Sequence, residues 1–84
     1  MAARPKAKQR TARVRRYTVC FVPDEEAGGY TAHIPALEIV TEGETLREAR
    51  AMARDAIEGY LEAAQELGQP IPDDVTVEQV EVSA

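Results

Sequence analysis

Tyr17, Val19 and Phe21 alternate with Arg16, Thr18 and Cys20 in the stretch VRRYTVCFV. Bulky and β-branched residues at period two mark a strand with one apolar face, here Val14 to Val22. Pro23 ends it, and PDEEAGG supplies a turn, with Asp24 for the bend and Gly28 and Gly29 for positive φ. YTAHIPAL alternates again: Tyr30, Ala32 and Ile34 point one way, Thr31 and His33 the other. Two strands this close in sequence form an antiparallel hairpin. Pro35 has no N–H to donate, so the second strand stops there or lies at an edge. EIVTEG reads as a short third strand closed by Gly43.

From Thr45 the period changes. Thr45 is a good N-cap, and Glu48 three residues later completes a capping box. Leu46, Ala49, Ala53, Ala56, Ile57, Tyr60, Ala64 and Leu67 recur at spacings of three and four, which gives one apolar helix stripe. Arg47, Arg50, Arg54, Glu58, Glu62 and Glu66 take the opposite face. Gly68 suits the C′ position, and Pro70 and Pro72 prevent continuation. Gly59 is the one weak helix residue and reads as a point of close packing on the sheet. VTVEQVEV, Val75 to Val82, reads as a last strand whose apolar phase slips between Val77 and Val80, as at a bulge. The predicted fold is α+β: a three-stranded antiparallel β-meander, one long helix packed on one face, then a fourth strand (β-β-β-α-β).

One helix covers one face of such a sheet. The other face carries Thr18, Cys20, Thr31 and His33, and an edge strand leaves backbone groups unpaired. Self-association as a homodimer or higher oligomer is therefore expected. The composition agrees, because 84 residues bury only a modest core and other reinforcement is missing. A single cysteine, Cys20, allows no internal disulfide, and with a single histidine, His33, no Cys/His zinc set can be assembled. The N-terminal arginines and lysines precede no apolar stretch of the signal-peptide kind, and no run approaches a membrane span. A cytoplasmic location and no membrane contact are expected.

The formal charge of −5 conceals a division. Residues 1–16 carry seven positive charges and no acid, while residues 17–84 carry three positive and fifteen negative ones. The chain divides into a disordered basic arm, 1–13, and an α+β domain, 14–84. Arg10, Arg13, Arg15 and Arg16 are the candidates for nucleic-acid contact, through phosphates and without sequence preference. With no aromatic before Tyr17, base stacking is not expected. Asp24, Glu25 and Glu26 on the first turn, with Glu58 and Glu62 on the helix, are the candidates for contact with a basic protein, which the acidic body would attract. His33 and Cys20 have no partners suited to catalysis. The strand Val14 to Val22 contains no carboxylate, so the acids a two-metal hydrolase needs are missing. No catalytic residue, metal site or cofactor is expected.

Taken in order, YTVCFVPDEEAGGYTAHIPAL, TEGETLREARAMARDAIEGYLE and GQPIPDD resemble the HicB antitoxin family in its partial RNase H-like domain. The similarity spans about Tyr17 to Val82. It implies an oligomeric antitoxin of a type II toxin–antitoxin pair, whose partner is a HicA-like mRNA-cleaving toxin, a small basic protein masked at its active surface. The sequence departs from that family at LEIVT, which lacks the usual Pro-Gly turn. The alternative reading is a stand-alone oligomeric nucleic-acid-associated protein that works through the basic arm.

Overall fold

Residues 14–84 are described by a computed structural model. The arm expected over residues 1–13, with Arg10 and Arg13, lies outside the described residues. Strands β1 (Cys20–Pro23), β2 (Tyr30–Ile34) and β3 (Ile39–Gly43) precede helix α1 (Leu46–Leu67), with a 3-10 turn at Pro35–Leu37 between β2 and β3. The sheet is antiparallel in the order β1-β2-β3, so β2 is central.

The β1–β2 turn forms as its residues dictate. Asp24 Oδ1 accepts from the N–H groups of Glu26 and Ala27, both at 3.1 Å. The Asp24 N–H donates to the Gly29 carbonyl at 2.9 Å and the Gly28 N–H to the Asp24 carbonyl at 2.8 Å. Gly28 and Gly29 sit at φ 82° and 81°, a region that disfavours any Cβ. A Cβ on Gly29 would also stand 2.6 Å from the Gly43 carbonyl oxygen.

β1 begins at Cys20 rather than at Val14. Cys20 lies opposite His33 and Val22 opposite Thr31. That register places Thr18 level with Pro35, which has no N–H and already belongs to the 3-10 turn. Upstream of Val19, which falls level with Ile34, that register offers no further β2 residue, whatever the side-chain pattern. The predicted facing still holds, because Tyr17, Val19 and Phe21 pack against the core.

β3 returns after a turn whose last residue is unusual. Glu38 adopts φ 55°, ψ 43°, the left-handed region, and its N–H donates to the Pro35 carbonyl at 3.2 Å. No other non-glycine among the described residues has positive φ. The turn puts a glutamate in a conformation that favours glycine.

Helix α1 spans 22 residues and carries the caps its sequence announces. Thr45 Oγ1 accepts from the Glu48 N–H at 3.0 Å, and Glu48 Oε1 accepts from the Glu44 N–H at 2.6 Å. The return bond therefore reaches one residue further back than in the usual capping box. At the other end Gly68 is left-handed at φ 68°; its N–H donates to Gln65 and the Gln69 N–H to the Ala64 carbonyl, a Schellman closure.

The core is small. Ala32 and Ile34 of β2 are fully buried and cluster with Leu37 and Ala53, while Ala49 and Ala64 of the helix are buried as well. Ile39, Ile57 and Tyr60 pack on this centre, half-buried. Two stripe residues at the helix ends, Leu46 and Leu67, stay exposed. The helix approaches β3 most closely at Gly43, where an added Cβ would lie 2.7 Å from the Ala49 Cα. Gly43, not Gly59, is the glycine required by close packing: a Cβ on Gly59 would meet nothing within 4 Å. The close-packing reading of Gly59 is therefore corrected.

The fourth strand is not formed. Residues 69–84 have no regular structure and pair with no strand among the described residues. The segment is tethered only at its start. Tyr17 Oη donates to the Pro72 carbonyl at 2.6 Å, the Thr18 N–H donates to Asp74 Oδ1 at 2.9 Å, and Thr18 Oγ1 donates to Asp74 Oδ2 at 2.7 Å. Beyond Asp74, Val77, Val80 and Val82 are 64%, 76% and 79% exposed. The alternation of VTVEQVEV describes a segment able to be a strand, and a strand requires a neighbour that this arrangement does not supply.

Candidate functional site: a cationic groove and an acidic end

The helix packs on β3 and β2 and barely on β1. The cause lies in side-chain size. Ala49 and Ala53, with Gly43 opposite, let the first turns of α1 sit close to β3. Further along, Ile57, Tyr60 and Leu61 are larger. A groove of ≈ 570 Å³ opens between α1 and the β1 side of the sheet. Tyr17, Val19 and Phe21 form one wall, Ile57 and Leu61 the other, and Ile71 closes an end. Arg15, Arg50 and Arg54 also line it, with Glu58 one helix turn beyond Arg54. An apolar floor with three guanidinium groups around it suits an extended apolar segment that carries negative charge.

A second surface, beside the β1–β2 turn, is acidic. Asp24, Glu42, Glu44 and Glu48 surround a shallow depression beside the β1–β2 turn, with Tyr30, Thr31 and Met52. The β2–β3 register sets Glu42 opposite Thr31, and the helix cap holds Glu44 against Glu48. Glu25 and Glu26 are exposed on the adjoining turn. Among the described residues no group of three or more His, Cys, Asp or Glu side chains is placed to hold a metal ion.

The residues singled out in the sequence are distributed as follows. Asp24, Glu25 and Glu26 stand together at the acidic end, but Asp24 is committed to the turn. Glu58 lines the cationic groove instead, and Glu62 is exposed on the helix. The five acids do not make one surface. Arg15 lines the groove with Arg50 and Arg54, and Arg16 lies with Arg15 near Asp73 and Asp74. His33 is exposed on the open sheet face, flanked by Cys20 on β1 and Val40 on β3. Exposed Val22 and Val40 share that face.

Glu42, Glu44 and Glu48 were missing from the sequence-based set. The capping pattern marked Glu48 as structural and hid its place on a charged surface. Asp74 was missing too. Its carboxyl is held below the ordinary 3.8, chiefly by the Thr18 backbone N–H and then by the Thr18 hydroxyl.

The fold and these surfaces define a small α+β protein of three antiparallel strands and one helix, with an open groove along one sheet edge. The chain belongs to the UPF0150 family: it is 36% identical over 70 residues to a UPF0150 protein of Thermoplasma acidophilum, a match covering 82% of this chain and 99% of that relative. No family model and no solved structure matches the chain. No helix among the described residues is long and apolar enough to cross a membrane.

Proposed function

We propose that the protein is a non-catalytic antitoxin-like binding protein, a HicB-like domain that neutralises a HicA-like mRNA-cleaving toxin by covering its active surface. The observation that carries this reading is the acidic end, where Asp24, Glu42, Glu44 and Glu48 converge beside exposed Glu25 and Glu26. Such a field speeds encounter with a small basic protein and orients it. The ordered run of motifs from Tyr17 to Val82 supports the same reading, as does the net negative body. The protein acts in the cytoplasm and as an oligomer.

The test is whether a neighbouring reading frame encodes a small basic protein, or one co-purifies from the native host, and whether it associates with this chain. Glu25→Ala with Glu26→Ala leaves the turn-forming Asp24 in place. The pair should slow association at low salt by roughly tenfold, with the difference shrinking as salt rises. Unchanged association rates would remove the acidic end from the contact. Failure to bind the basic neighbour at all would remove the antitoxin reading.

A second reading, a nucleic-acid-associated protein that works through the basic arm, draws support from the seven positive charges and no acid in residues 1–16. Weak, salt-sensitive retention of duplex DNA or RNA by the full chain, lost on deleting residues 1–13, is its expected signature.

A further inference from the structure

Two unfinished features of the chain match each other. The groove beside β1 is apolar at its floor and cationic around it, through Arg15, Arg50 and Arg54. β1 is an edge strand, so its outer backbone groups have no strand partner among the described residues. The segment Val75–Val82 is apolar, strand-patterned and acidic, with Glu78 and Glu81, and it lies unpaired with its valines exposed. We propose that residues 75–82 of each copy lie along the β1 edge and groove of a second copy, so that two reciprocally exchanged segments each complete a four-stranded sheet.

The geometry of the connector favours exchange over folding back. After Gly68 the chain passes through Pro70 and Pro72, whose rings fix φ and stiffen the path. It is then pinned twice against the lead-in to β1, by Tyr17 on the Pro72 carbonyl and by Thr18 on Asp74. From that anchor the segment leaves its own sheet, and a stiff hinge with a free element beyond it is the arrangement that exchanges between copies. The phase slip between Val77 and Val80 also finds a use. In a regular strand beside β1, Val75 and Val77 face one side of the sheet and Val80 and Val82 the other. One side offers Val19 and Phe21, and the other offers Cys20 and the exposed Val22. Charge agrees with shape: Glu78 and Glu81 face opposite sides of a regular strand, so one of them meets the groove lined by arginines. The contact is isologous and closes as a two-fold dimer. It stands apart from the antitoxin reading, because it concerns the sheet edge and not the acidic end.

Two measurements on the full chain test it. Sedimentation equilibrium should give a dimer for the native sequence and half that mass for Val77→Asp with Val80→Asp. Both positions are exposed within one chain, so helical circular dichroism should be unchanged. For direct evidence, native chain, whose one thiol is Cys20 on β1, is mixed with a Cys20→Ser chain carrying Val77→Cys. Thr76→Cys, Glu78→Cys and Gln79→Cys are tried in turn to sample the register. A mixed disulfide between the two chains at one or more of these positions is expected. Placed in the native Cys20 background, the same substitutions should yield covalent dimers. An internally closed monomer there would show the segment folding back, and would overturn the proposal. A native monomer, a dimer indifferent to the two aspartates, or no mixed disulfide at any of the four positions would do the same.

Discussion

The two sides of the sheet are built differently. On the β3 side, Gly43 and Ala49 bring backbone against backbone, and the helix seals Ala32, Ala49 and Ala53 from water. On the β1 side, larger residues such as Ile57 and Leu61 face Tyr17 and Phe21 across an open groove. The contrast teaches that a single helix with small residues at its start and large ones after them closes one edge of a sheet and leaves the other open. The closed edge holds the fold together. The open one is free to bind.

Substitutions can break that contrast, starting where it is strongest. Ile34 is fully buried at the centre of the closed side, and Ile34→Ala should lower unfolding free energy by about 3–4 kcal/mol, measured by urea denaturation. Gly43→Ala drives a Cβ into the Ala49 and Glu48 backbone, with the Glu48 carbonyl carbon 2.8 Å away. A loss of about 2–3 kcal/mol is expected, together with a wider helix–sheet spacing. Thr45→Ala removes the helix cap at 3.0 Å and should cost about 1 kcal/mol. Glu38→Gly should instead gain about 0.5–1 kcal/mol by relieving a left-handed glutamate. Gly59→Ala should gain a similar amount, roughly 0.5–1 kcal/mol, since the methyl enters open space. A loss at Gly59 would mean that the outer helix face is covered.

The smallest effect concerns the tether on the open side. Asp74 has a folded pKa below its ordinary 3.8. Its hydrogen bonds to Thr18 therefore add stability above that ordinary value, and the contribution disappears as pH falls through the lower folded value. The Thr18 amide resonance should follow this titration with a midpoint below 3.8. Asp74→Asn should abolish the titration and leave the core unchanged. A midpoint at or above 3.8 would show that the tether does not form in solution.

Local chemistry was legible in the sequence, and neighbour-dependent structure was not. Gly28, Gly29, Thr45 and Gly68 each signal a conformation that the residue itself requires, and all four are found as expected. The strand alternation correctly assigned Ala32 and Ile34 to the core and His33 to the open face. Strand limits depend on what lies across the sheet. Val14 to Thr18 has strand composition, but the register runs out at Pro35, and Val75 to Val82 has no strand partner among the described residues. Glu38 gives no warning, because a glutamate has no intrinsic preference for positive φ and is held there by the 3-10 turn. The groove escaped for a different reason: Arg15 and Arg50 are far apart in the chain, and only the packed helix brings them together.

Amide hydrogen exchange as a function of protein concentration tests the central claim most directly. If the β1 edge is the open side and the C-terminal segment completes it on another copy, the amides of β2 should exchange slowly at every concentration. Those of Val75 to Val82 should exchange fast in dilute solution and become protected as the protein is concentrated. Protection of Val75 to Val82 that is already complete in dilute solution, or fast exchange at every concentration, would contradict the account.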